Sequence, residues 1–158
     1  MKITIDVASS GAGFEIDKKI AEAIAKNLNC KVLVLADKNF TLEDRVKKSN
    51  FNKSDLLISI TSEVITNLNG IVTFVEAPIS SNPRNLDLAS KLHLAVVNSV
   101  KTCDNGIKGR YGYMFKNSKC PVIEIQLANI DNEDEKKAIS LDSTIQTLAK
   151  NFALVLNK

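Results

Sequence analysis

Glu124 is the residue of this chain whose setting most invites chemistry. It interrupts an apolar run, PVI-E-IQL (121–127), that reads as a central strand. An isolated buried carboxylate is costly, so such a glutamate is neutralised, paired, or opened onto a cleft. Two readings follow: a strand residue facing solvent or an arginine, or a general base at the carboxyl end of its strand. Glu15 says less, because it falls in the first turn of a helix, where the helix dipole alone favours an acidic side chain. Ser9 and Ser10 follow the strand KITIDV in the turn ASSG, where open α/β proteins place their chemistry. They read as a nucleophile, a phosphate cradle, or what remains of a lost ligand set.

Other side chains narrow these options. The single histidine, His93, lies inside LASKLHLAVVN, on a helix well past the strand ends, and reads as structural or surface. That removes Ser-His-Asp and Cys-His constellations, which need a base near the nucleophile. Cys30, Cys103 and Cys120 form no C-x-x-C pair and are odd in number, which reads as idle thiols and not a disulfide framework. Gly11 and Gly13 in SSGAG precede a helix and hint at an anion site of backbone N–H groups, without the spacing or lysine of a nucleotide loop. IKGRYGYMFKN brings Lys108, Arg110, Tyr111, Tyr113 and Lys116 together. It reads as contacts for an anionic or sugar-containing ligand, or as a solvated basic loop and hairpin.

The elements that must position these residues alternate. Strand runs at 2–7, 31–37, 55–60, 70–77 and 121–127 are short and apolar, as in a sheet covered on both faces. Between them, Ile16, Ile20, Ala23, Ile24 and Leu28 share one helical face, and Leu88, Leu92, Ala95 and Val96 another. Thr41 with Asp44 resembles a capping box, opening a helix with Leu42, Val46 and Arg45 on one side. A broken or continuous C-terminal helix carries Ile145, Leu148, Ala149, Phe152 and Leu156. This alternation predicts an α/β protein with a mostly parallel sheet between helices, in one domain spanning 1–158. The 158 residues are 44% hydrophobic and 25% charged, with a formal charge of +3, which is no nucleic-acid footprint. No run approaches a membrane span, and no signal peptide precedes the first strand, so the compartment stays unassigned.

Taken in order, the strand-end residues resemble the zinc-dependent N-acetylmuramoyl-L-alanine amidases, the peptidoglycan amidases of bacteria and phages. KITIDVASSG stands where that family has a strand followed by Asp-Pro-Gly-His-Gly-Gly. LEDRVKKSNFNKSDLLISITSE resembles its Arg, Ala-Asn, Ala-Asp and Ser-Ile-His-Ala-Asn stretch through Arg45, Asn50, Asp55, Ser59 and Ile60. CPVIEIQLANIDNEDE resembles the family's Pro-Ala-Val-Leu-Val-Glu strand and the Asn-x-x-Asp opening its last helix, with a small insertion before Asn132.

The resemblance implies a twisted sheet of about six strands in a three-layer sandwich. It implies that Glu124 stands at the catalytic general base and Glu15 at a retained metal-ligand position. Ser9 and Thr61 fall where the family has its two zinc-ligand histidines. Zinc is therefore not expected here, although the family uses it, because neutral hydroxyls bind it weakly and a catalytic site needs about three N/O ligands. The implied function is a catalytically impaired amidase-like domain, a pseudoenzyme that binds a peptidoglycan fragment or a protein partner, with Arg110 and Tyr113 as binding residues. Two alternatives stand beside it. One is an active amidase with an atypical metal site rebuilt from Asp6, Glu63 or Glu76; the other is a structural or oligomerisation module. The family acts at the bacterial cell wall.

Overall fold

Alternation along each strand decides which face of the sheet it presents. In β1 (Lys2–Val7), Ile3, Ile5 and Val7 point one way while Thr4 and Asp6 point the other. The computed structural model describes residues 1–64 and 68–157. Its other strands are β2 (Lys31–Leu35), β3 (Leu56–Thr61), β4 (Ile71–Glu76), β5 (Asp104–Arg110) and β6 (Val122–Gln126). They form one six-stranded sheet in the order β2-β1-β3-β6-β4-β5. The first four are mutually parallel; β4 runs antiparallel to β6, and β5 is parallel to β4.

The helices are α1 (Phe14–Asn27), α2 (Leu42–Asn52), α3 (Pro83–Val100), α4 (Tyr113–Asn117), α5 (Glu133–Ser140) and α6 (Asp142–Leu156). One sheet face, carrying Ile5, Ile58, Ile60, Ile123 and Ile125, packs in the main core with Ile20 and Ile24 of α1, Leu92 and Val96 of α3, and Phe152 of α6. On the other face, Leu57 and Val122 pack against Val46 of α2 and Met114 and Phe115 of α4 in a smaller core. The result is the helix–sheet–helix sandwich that the alternation and the resemblance lead one to expect.

Local chemistry sets the helix starts. Thr41 and Asp44 form a reciprocal capping box on α2. Asn82 caps α3, with Pro83 in its first turn. Asn132 accepts from the backbone N–H groups of Asp134 and Glu135 and so caps α5.

The structure departs from the sequence reading in two elements. DNGIKGR, read as turns or as a basic loop and hairpin, is the edge strand β5. Leu42 is exposed, whereas its expected companions Arg45 and Val46 are buried. Of the two forms open for the C-terminal helix, the structure has the broken one, with the break at Leu141. No helix among the described residues is long and apolar enough to cross a membrane.

Candidate functional site

Register assembles the site. On the face covered by α2 and α4, the Cα partners run Asp6–Ser59–Glu124–Phe74–Lys108 across five adjacent strands. Asp6 is fully buried and accepts hydrogen bonds from Arg45 Nη1 and, at 2.9 Å, from Ser59 Oγ. Arg45 also donates to the carbonyl oxygens of Val7 (2.6 Å) and Phe40 (3.3 Å). Burial raises the Asp6 pKa, and the Arg45 charge opposes that rise.

Glu124 sits in the middle of β6, not at its carboxyl end. Its side chain is 18% exposed, enough to meet solvent, and accepts a 2.9 Å bond from Arg110 Nη1. The guanidinium lies 5.1 Å from the centre of the Phe74 ring. Burial pushes the Glu124 carboxyl above the ordinary range; Arg110 pulls it down, and the Asp6 charge pushes it up again. Two strand positions beyond this row, on the same face, Thr61 pairs with Gln126. Its Oγ1 is buried without a hydrogen-bond partner among the described residues.

Above the ends of β1 and β3, a second polar cluster closes the sheet. Asp17, on α1, is buried and accepts from Ser9 Oγ, Ser62 N and Ser62 Oγ, each at 2.7 Å. Burial raises its pKa to about 6 against these three bonds. Gly13 makes the approach possible: a Cβ there would stand 1.9 Å from the Ser62 carbonyl oxygen. Ser10 N donates to Glu63 Oε1 at 3.2 Å.

Glu15 does not join this cluster. Its side chain is 70% exposed and lies 3.6 Å from Lys38 Nζ. Tyr113 lines a separate cavity near the carboxyl ends of β4 and β5. Another cavity, of about 990 Å³, lies against the edge strand β2 and is lined by Lys2, Lys47, Lys48, Lys53, Phe40 and Phe51 among others.

Sequence reasoning overlooked Asp17. Its helical phase exposes it in hindsight, since 17 falls on the Phe14, Ile20, Ala21 and Ile24 stripe. It also passed over a relay that runs inward from the exposed Asp104, whose Oδ1 lies 2.8 Å from His93 Nε2, while His93 Nδ1 lies 2.9 Å from Thr73 Oγ1. Thr73 is fully buried, so this relay ties α3 to β4 and β5 and presents no nucleophile.

These observations define an α/β three-layer protein with a row of polar side chains on one sheet face and a second polar cluster at the ends of β1 and β3. The sequence profile of the N-acetylmuramoyl-L-alanine amidase family matches residues 11–158, and the chain belongs to that family. Among curated relatives, it is 29% identical over 115 residues to the uncharacterized protein YqiI of Bacillus subtilis, covering 72% of this chain and 55% of that one. It is 24% identical over 144 residues to the endolysin of Bacillus phage SPP1, covering 88% and 53%. The chain therefore spans about half the length of these two relatives. The crystal structure of an N-acetylmuramoyl-L-alanine amidase from Clostridium difficile 630 superposes with a TM-score of 0.81 at 22% identity, covering 98% of this chain and 93% of that one.

Within this family frame, the residues that carried the resemblance divide in two. Arg45, Asn50, Asp55 and Ser59 hold the scaffold. Arg45 and Ser59 satisfy Asp6, Asn50 bridges to Asn117 O and Lys119 N, and Asp55 accepts from Lys2 N. The positions that the resemblance alone assigns to zinc ligands do not fit the ion. Ser9 spends its hydroxyl on Asp17, Glu15 faces Lys38, and Thr61 offers a neutral hydroxyl. Asp6 is committed to Arg45. Among the described residues, no three His, Cys, Asp or Glu side chains gather in a metal-holding group.

Proposed function

We propose that residues 1–158 form a single amidase-like domain impaired in catalysis, which acts as a peptidoglycan- or muropeptide-binding module through the face around Glu124. The observation that carries this reading is the fate of Ser9. At the position the resemblance assigns to a zinc-binding histidine, the side chain is a hydroxyl donating at 2.7 Å to a buried carboxylate. Hydrolysis of a secondary amide at neutral pH needs an activated nucleophile, which a zinc-bound water supplies in metal-dependent sites. Glu124 retains the capacity to accept a proton or an N–H, and burial holds its carboxyl poised above the ordinary range. A base without an activated water recognises a peptide amide and leaves it intact. Arg110, half exposed beside Glu124, supplies the positive charge that orients a ligand carboxylate.

The test combines metal analysis with two assays on the purified chain. Zinc is counted by mass spectrometry, peptide release is followed on a muramoyl-peptide, and binding is measured by co-sedimentation with peptidoglycan sacculi. The expected result is substoichiometric zinc, no release, and retention on sacculi. Stoichiometric zinc, or release abolished by Glu124→Gln, would establish an active amidase and overturn the proposal. Absence of any binding would overturn it in favour of a structural role.

A further inference from the structure

The two edges of the sheet are built differently. β5 carries Asp104, Lys108 and Arg110, and its register against β4 shifts between Ile71 and Thr73. Charges and bulges are usual devices that keep an edge strand from pairing with another chain. At the opposite edge, β2 runs through VLVLA (32–36) with no charge, no proline and no break in its register with β1. β1 and β3 are buried along nearly their whole length, whereas Val32, Leu33 and Val34 are only half-buried. Among the described residues β2 pairs with β1 alone, so its outward N–H and C=O groups stay open.

The cavity of about 990 Å³ follows this edge, since Leu33, Val34, Leu35, Ala36 and Asp37 line it in succession. Leu33 and Leu35 share their sheet face with Thr4 and Asp6, the face that α2 covers. The wall there includes Phe40 and Phe51, the latter 92% exposed. Lys2, Lys47, Lys48 and Lys53 line it against one carboxylate, Asp37, a surplus equal to the +3 of the whole chain. Lys47 is paired with Glu43, and Lys48 lies 4.7 Å from the centre of the Phe40 ring. Lys2, Lys48 and Lys53 form no ion pair among the described residues.

We propose that β2 is a docking edge for an extended acidic segment of a partner protein, which joins the six-stranded sheet as a further strand. Strand addition draws affinity from main-chain hydrogen bonds and specificity from side chains that alternate over the adjoining pockets. Every second residue of the segment faces α2. An apolar residue there packs on Phe51 and Leu33, and carboxylates to either side of it meet the lysines. A second copy of this chain fits less well, because it would bring a like-charged cavity to the same edge. A polyanion without amide groups would satisfy the lysines and leave Phe51 and the open backbone unused. β2 lies three strands from β6, about 14 Å at ordinary strand spacing, so the docked segment leaves Glu124 accessible.

The probe is the peptide acetyl-Thr-Glu-Val-Leu-Val-Glu-Thr-amide, titrated into the isotope-labelled full chain and followed by amide NMR. Saturable shifts are expected at 31–37 and 47–53, and added salt weakens the binding. N-methylation of every second amide removes the donors that face β2 in one phase and abolishes binding; in the other phase it leaves binding intact. Phe51→Ala weakens binding about tenfold, or about 1.4 kcal/mol. Lys48→Gln combined with Lys53→Gln weakens it about fivefold. All three side chains are exposed, so these variants keep the fold. No saturable shift up to about 1 mM peptide overturns the proposal, and so does equal binding by both N-methylated peptides. Binding of long-chain polyphosphate at the same residues, without binding of the peptide, overturns it in favour of a polyanion surface. Sedimentation of the free chain as a dimer that Phe51→Ala dissociates overturns it in favour of self-pairing.

Discussion

Replacing Asp17 with asparagine tests the account of the cluster that closes the sheet. The carboxyl titrates at about 6 in the fold, against an ordinary 3.8. A folded pKa above the unfolded one means that the native state binds the proton more tightly. The associated stability is complete below about pH 3.8, and it is lost as pH rises through about 6. A difference of about 2 pH units, at 1.36 kcal/mol each, makes the ionised cluster about 3 kcal/mol less stabilising at neutral pH than at acidic pH. The carboxamide of Asp17→Asn carries no charge. Its oxygen can accept from Ser9 Oγ and Ser62 N, and its NH2 can donate to a rotated Ser62 hydroxyl. The variant is expected to gain up to about 3 kcal/mol at pH ~8, a rise of about 6–12 °C in Tm for a chain of this size. Its advantage should vanish below pH ~4. Asp6 and Glu124 are also raised, and their contribution is common to both proteins, so it cancels in the difference. Thermal melts of the two proteins at half-unit pH intervals give the curve. Identical pH slopes between about 4 and 6, or a less stable variant at pH ~8, would refute the reasoning.

Other outcomes follow from the same geometry. Arg45→Met strands the buried Asp6 carboxylate and should cost about 3–5 kcal/mol in urea unfolding; adding Asp6→Asn should restore part of it. Arg110→Ala removes a charge that pulls the Glu124 pKa down, so the carboxyl should titrate higher still, as read by side-chain 13C NMR. Gly13→Ala forces α1 away from Ser62 and should destabilise by about 1–3 kcal/mol, with loss of hydrogen-exchange protection at the Ser62 amide. Thr41→Ala should cost about 1 kcal/mol, seen as fraying of the first turn of α2.

Elements with a strong period were legible in the chain: β1, β3, β6 and the apolar stripes of α1 and α6 stand where alternation and helical spacing put them. β5 escaped because it is an edge strand with two glycines, specified by the backbone groups of β4 and not by its own pattern. The site was legible in type but not in arrangement. Glu124 announced itself as a charge within an apolar strand, yet its partners Arg110 and Asp6 are set by pairing between strands distant in sequence. The bonds from Ser9 and Ser62 to Asp17 join two loops and a helix, and no local pattern encodes such a meeting. The resemblance located residues, but only coordinates separate Arg45, Asn50 and Ser59, which brace the scaffold, from Glu124, which faces solvent.

The reversal of β4 and β5 against the other four strands has a geometric consequence. Open α/β sheets present ligands beyond the carboxyl ends of their strands. A sheet of one direction has one such rim. This one has two, because β1, β2, β3 and β6 end at the edge that bears Ser9 and Ser62, while β4 and β5 end at the opposite edge, before Ala77 and Tyr111. Each rim draws its loops from different strands, so a change in one is not transmitted through the connections of the other. Ser9 and Thr61 belong to the first rim, and Tyr111 and Tyr113 to the second.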